Sequence, residues 1–147
     1  LIIKILVCTD GSEQSQKALE KASLIAGGCN VDEVTIIHVY EEKLPDIEVY
    51  SSEAIERYMQ VIEDNKIEMK KILENALNIF EEKGIKARTI LKEGHPAETI
   101  VEVGCGEEFD FIVIGSRGLG GLKKALLGSV SNAVVQQAEK CSVIVVR

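Results

Sequence analysis

Five short apolar runs, each cut off by polar or glycine-rich residues, constrain the fold of this chain most. They read IIKILVC (2–8), VTIIHVY (34–40), IKARTILK (85–92), FIVI (111–114) and CSVIVV (141–146). All are too short for capped helices and most are rich in β-branched residues, so they predict strands. Helical spacing fills the gaps. Ala18, Leu19, Ala22, Ile25 and Ala26 share one face of a helix that Asp10 or Ser12 would cap and Gly27-Gly28 would close. Ile55, Met59, Ile62, Met69, Ile72, Leu73, Ala76, Leu77 and Phe80 mark a long helix over 53–82, ended by Gly84. Such a helix spans ~45 Å, longer than a sheet of short strands. Pro96 opens a short helix over 97–104 that Gly104 and Gly106 would end, and a last helix runs from Ser129 to about Lys140.

Strands alternating with helices imply a single open five-stranded parallel sheet, Rossmann-like, with helices on both faces. The expected strand order is 3-2-1-4-5. The partial alternation of the third strand suits an edge. In that order the chain reverses direction across the sheet between the first and fourth strands, and open α/β sheets bind ligands at the carboxyl ends of the strands at such a point.

A chain of 147 residues predicts one domain over 1–147. With no tryptophan, the core must be aliphatic. The formal net charge of −7 argues against nucleic acid and against a polybasic membrane anchor. No apolar run is long enough to span a bilayer and no leader-like segment opens the chain, so a cytoplasmic protein without membrane partners is expected. Cys8, Cys29, Cys105 and Cys141 form no C-x-x-C pair, so neither a metal site nor, in a reducing compartment, a disulfide is expected. Cys8 and Cys141 lie in apolar runs and read as core. His38, inside the second strand, reads as a packed, hydrogen-bonded residue rather than a ligand.

The stretch from Asp110 to Ser131 carries the chemistry. A strand stops at Gly115, a loop follows with Ser116, Arg117, Gly118, Gly120 and Gly121, and Gly128-Ser129 opens a helix. Glycines let backbone N–H groups approach a ligand, and a helix N-terminus presents unpaired donors and partial positive charge. Together they suit phosphate. Ser129 and Ser131 could add hydroxyl donors. No G-x-x-x-x-G-K-[ST] loop occurs, and Lys123 stands where a dinucleotide fingerprint needs its third glycine. A tight strand-to-helix turn is the alternative reading, and in either case Gly118 and Gly128 are expected in a surface loop. Lys123 and Lys124 read as solvated.

Gly115-x-x-Gly118, nine residues and Gly128-Ser129 resemble the G-2x-G-9x-G-[ST] motif of the universal stress protein family, in its ATP-binding branch. Cys8-Thr9-Asp10-Gly11-Ser12, His38-Val39, Gly94-His95-Pro96 and Gly128-Ser129-Val130-Ser131 extend the resemblance over nearly the whole chain. It implies an adenine nucleotide, ATP or else ADP or AMP, with any Mg²⁺ held mainly by the phosphates. It further implies that Asp10 meets the ribose, the Val39 backbone faces adenine, and the backbones of Gly118, Gly128, Ser129 and Val130 hold phosphates, joined by Ser131. Thr9, Gly115 and Arg117 complete the candidate nucleotide-binding set. No role is assigned to the stretch from Glu41 to Ser52.

No catalytic residue or metal ligand is assigned. The chain lacks a Walker lysine and an acidic cluster for Mg²⁺, and His95 alone is weak as a general base. A nucleotide sensor or switch is therefore expected rather than a fast catalyst, slow hydrolysis of ATP is compatible with it, and a role in a stress response is what the resemblance implies. Two alternatives stand: a nucleotide-independent dimeric interaction module, and an adenylyl-transferring or ATP-hydrolysing enzyme, whose H-x-G-H or S-G-G-x-D-S motifs are absent. The run from Cys141 to Val146 is an uncharged edge strand and suggests a homodimer, a mode the resemblance also implies.

Overall fold

The computed structural model describes residues 2–28, 30–42, 51–117 and 127–147. Its elements are β1 (Ile3–Cys8), α1 (Glu13–Gly28), β2 (Val31–Tyr40), α2 (Ser52–Glu81), β3 (Ala87–Glu93), α3 (Pro96–Gly106), β4 (Phe111–Gly115), α4 (Ser129–Gln137) and β5 (Ser142–Val146). The five strands form one sheet in the order β3-β2-β1-β4-β5. Every pairing is parallel, with Cys8 opposite Ile37 and Val7 opposite Val113 in the central strands. The expected architecture and strand order are found.

Strand alternation sorts the side chains into two cores. Ile5, Val7, Val34, Ile36 and Val113 face α1 and α2, where Ala18, Leu19, Ala22, Ala76 and Phe80 meet them. Leu6, Cys8, Ile37, Ile112 and Ile114 point the other way, toward Ile100 and Val103 of α3 and Val134 of α4. Phe80 is wholly buried and, among the described residues, is the largest side chain to be so. Truncating it to alanine would cost about 3–5 kcal/mol. Its position also explains how so long a helix is held. Only Ala76 and Phe80 of α2 are buried, both in its C-terminal third, while Ile55, Met59, Val61 and Ile67 stand exposed on the part that outruns the sheet.

Several boundaries differ from the sequence expectation. Strand β2 begins at Val31, where it pairs with Ile3, because Asp32 and Glu33 interrupt the apolar run but not the backbone ladder. Strand β3 begins at Ala87 because Ile85 closes α2, its N–H donating to the Phe80 carbonyl at 3.0 Å. Helix α2 starts one residue early behind Ser51, whose Oγ accepts from the Ala54 N–H at 3.1 Å. Gly104 does not end α3. A Cβ there would lie 2.6 Å from Ile112 Cδ1, so the glycine lets helix and sheet approach. Helix α4 stops at Gln137 rather than Lys140, and Cys141 precedes β5, half-buried and packed against the α3–α4-side core rather than sealed within it.

Edge strand β3 is largely exposed, and its Arg88 reaches Glu33 of β2 at 2.9 Å. That ion pair, with Lys4 beside it, holds the Glu33 carboxyl below its ordinary range despite the opposing effect of burial. Strand β5 forms the other edge.

Candidate functional site

The central strands β1 and β4 end side by side, and each hands the chain to a helix. After β1, the Thr9 N–H still donates to the Ile37 carbonyl at 3.0 Å, extending the ladder one residue. The Thr9 carbonyl accepts from His38 Nδ1 at 2.8 Å, which places the ring proton on that nitrogen. Asp10 then folds the turn, its Oδ1 accepting from the Ser12 N–H at 2.9 Å. Ser12 caps α1: its Oγ accepts from the Ser15 N–H at 3.1 Å. Ser15 Oγ donates back to the Ser12 carbonyl at 2.8 Å and lies 3.2 Å from Thr9 Oγ1. Of the two cap candidates in the sequence, Ser12 caps and Asp10 braces the turn before it.

After β4, the backbone of Ser116 ties three elements together. Its N–H donates to the Val146 carbonyl of β5 at 2.7 Å, and its carbonyl accepts from the Gly128 N–H at 2.6 Å and from Ser131 Oγ at 2.9 Å. Gly128 is the N-cap of α4 and offers no side chain to the helix's first turn. Ser129 and Val130 follow on that turn, exposed and half-buried respectively. The topology therefore brings Thr9, Asp10, Gly115, Arg117, Gly128, Ser129, Val130 and Ser131 to one end of the sheet. Val39 lies at the same end of β2, and both Val39 and Val130 pack on the α3–α4 face. Gly118, Lys123, Lys124 and residues 43–50 of the 41–52 stretch lie outside the described residues.

Three expectations change on contact with this geometry. Gly128 has φ −61°, a value open to any residue, so its requirement for glycine is spatial. A Cβ there would stand 3.2 Å from Arg117 Cα and 3.3 Å from the Ser116 carbonyl oxygen. Gly128 is buried, not a surface position, so substituting it loads the fold as well as any ligand site. The Ser131 hydroxyl is buried on the Ser116 and Gly128 carbonyls, where it fastens α4 to the end of β4. Gly115 answers to α1: a Cβ would lie 2.8 Å from the Gln14 carbonyl oxygen.

Sequence reasoning missed the part played by Ser116, a backbone role that no side-chain pattern reports. His38, expected to be packed and hydrogen-bonded, is so, and its partner Thr9 links the ends of β1 and β2. His95 stands at the N-cap of α3 without capping it, its Nδ1 2.6 Å from Glu41 Oε1. Among the described residues, no group of three or more His, Cys, Asp or Glu is placed to hold a metal ion. No described helix is long and apolar enough to cross a membrane. A cavity of about 310 Å³ opens between α1 and α2, lined by Thr9, Ser12, Ser15, Gln16, Ile72 and Asn75 among others. It lies on the face opposite Val39 and Val130 and shares only Thr9 with the candidate set.

Comparison with known proteins bears on this arrangement. Residues 3–147 match the model of the universal stress protein family. The chain is 39% identical over 147 residues to universal stress protein YxiE of Bacillus subtilis, covering 98% of each chain. A universal stress protein solved in complex with cAMP superposes with a TM-score of 0.70 at 25% identity, over 99% of this chain and 96% of that one. The universal stress protein of Archaeoglobus fulgidus in complex with dAMP gives 0.68 at 26% identity, over 99% and 98%.

Proposed function

The chain belongs to the universal stress protein family, and from that premise we propose that it binds an adenine nucleotide, ATP or a shorter one, as a sensor or switch rather than a fast catalyst. The observation that carries this reading is the start of α4. A helix N-terminus whose N-cap glycine supplies no capping side chain stands at the sheet's reversal point, with Gly128 held against the Ser116–Arg117 backbone. Such a terminus suits phosphate oxygens, and two relatives of the same fold are complexes with adenine nucleotides.

In this proposal the amides of Ser129 and Val130, with Gly118, receive the phosphates, while Gly128, whose own N–H is spent on the Ser116 carbonyl, leaves room for them to approach. Asp10 accepts from the ribose hydroxyls, and the Val39 backbone lies along adenine. Thr9, Gly115 and Ser131 hold the two joints in place, while Arg117 stands beside Gly128. Any Mg²⁺ is held by the phosphates, for which the described residues supply no carboxylate cage. Calorimetric titration with ATP, ADP, AMP and deoxy-ATP, beside a phosphate-release assay, tests the reading. Binding with slow or absent release is expected. Protein stripped of carried-over ligand that binds none of them at millimolar concentration overturns it, and rapid phosphate or pyrophosphate release replaces the switch with an enzyme.

The same premise extends to assembly: β5 pairs with its copy in a homodimer. The Ser142 N–H and the Val146 carbonyl are spent on the β4 side. In a parallel pair alternate residues face the same neighbour, so Val143 and Val145 direct their backbone groups to the open edge. Val146 is buried, so a charge there would test folding rather than pairing. Val145→Pro removes one outward N–H without touching the β4 ladder. It should turn a dimer into a monomer by light scattering, and an unchanged dimer mass would exclude this edge.

A further inference from the structure

Cys105 lies in the last turn of α3, and Cys141 lies in the turn between α4 and β5. They are 36 positions apart in sequence, yet their Sγ atoms are 2.7 Å apart, and both side chains are half-buried rather than sealed in the core. Parallel packing of β5 beside β4 and of α3 against α4 brings them together at the amino end of the sheet, opposite the candidate nucleotide site. The geometry points to Cys105 and Cys141 as a dithiol that a hydroperoxide converts into an intramolecular disulfide.

The surroundings assign the two sulfurs different parts. Burial raises the Cys105 pKa, but a hydrogen bond from the Cys141 thiol and backbone bonds from Lys140, Glu139 and Cys141 outweigh it and hold that thiol below its ordinary value. Cys141 is pushed up to about 12, by burial first, then by donating to Cys105 and by the charge there. Thiolate, not thiol, is the nucleophile. Cys105 therefore attacks one oxygen of the peroxide. The O–O bond breaks, Cys105 becomes a sulfenic acid, and the other oxygen leaves as hydroxide, or as alkoxide from an alkyl hydroperoxide, and takes up a proton. The Cys141 sulfur then attacks the Cys105 sulfur. The S–O bond breaks, and hydroxide leaves with the Cys141 proton as water. Two thiols lose two electrons in all, and one peroxide is reduced. Cys8 stays out of this chemistry, because burial keeps its thiol protonated.

The test uses the full chain with Cys29→Ser as background. Folded protein is treated with hydrogen peroxide in small molar excess, free thiols are alkylated, and peptides are mapped without reduction. The expected product is a monomer lighter by two hydrogens, with the Cys105 and Cys141 peptides joined, restored by dithiothreitol. Cys105 should be consumed at least ~10-fold faster than Cys8. Adding Cys141→Ser should leave a Cys105 sulfenic acid that a 1,3-dione traps, whereas Cys105→Ser should give no such adduct at Cys141. The inference is overturned if both cysteines remain alkylatable when Cys8 has begun to oxidise, if the bond joins two chains, or if Cys141 is the sulfenic acid. The map of the background protein decides the first two points even if a serine variant folds poorly.

Discussion

The joint that follows β1 and the joint that follows β4 reach the same end of the sheet but are closed by different means. The first is sealed by its own side chains: Asp10 on the Ser12 amide, Ser12 on the Ser15 amide, and Ser15 back on the Ser12 carbonyl. The second has its seal behind it, in the Ser116 carbonyl, which takes the Gly128 amide and the Ser131 hydroxyl. Its N-cap, Gly128, has no side chain to close the first turn of α4. A helix that folds against a strand without capping its own first turn keeps its positive end for something else. The proposed division follows: the α4 joint holds phosphate, and the α1 joint holds shape while lending Asp10 to the sugar.

The largest effect should come from filling the second joint. Gly128→Val places carbon within 3.2 Å of Arg117 Cα and 3.3 Å of the Ser116 oxygen. Overpacking of that kind costs about 1–3 kcal/mol in stability, and the displaced helix start should lower affinity for ATP by ~30-fold or more, about 2 kcal/mol. Thermal melts and titration calorimetry on the same samples separate the two losses. Unchanged affinity in a folded Gly128→Val protein would mean that the α4 joint is not the phosphate site.

Why the joint had to be seen to be understood is a matter of what each residue type reports. The apolar runs and their spacing carried the sheet, its order and both cores, because period and length are side-chain properties. That a glycine- and serine-rich joint follows β4 was legible for the same reason: glycines and serines at a strand's end are visible in the letters. The reason for each glycine was not. Gly128 was expected to answer to a ligand, but its φ is ordinary and it answers to the Arg117 and Ser116 backbone as well. Gly104 read as a helix stop and is a contact with Ile112. Ser131 read as a phosphate donor, and its hydroxyl is spent on Ser116. Backbone proximity leaves no trace in residue type, and neither does the meeting of Cys105 with Cys141 across 36 positions.

A smaller effect, and one that tests whether the first joint touches the ligand at all, is expected at Asp10. Asp10→Ala removes a carboxylate acceptor, a loss worth about 1–3 kcal/mol where the partner is a ribose hydroxyl. Asp10 also holds the Ser12 amide, so part of any change could come from the turn. Asp10→Asn keeps a carbonyl oxygen for that amide and isolates the charge. Affinity for ATP should fall more than affinity for deoxy-ATP in both variants, narrowing the preference between them. Equal losses for the two nucleotides would confine Asp10 to shaping the turn.

The smallest effect sharpens the comparison from the other side. Ser12→Ala strips the cap from α1 without altering any group placed near the nucleotide, since Ser12 lines the α1–α2 cavity on the opposite face. Losing a serine cap costs about 1 kcal/mol, which in a domain of this size lowers Tm by roughly 2–5 °C. Affinity for ATP should stay within a factor of about two, because a loss of helix stability that leaves the native state intact changes how often the protein is folded, not what it binds when folded. A melt and a titration suffice. A tenfold loss of affinity at unchanged Tm would place Ser12 in the ligand's reach, and the α1 joint would then be open as well.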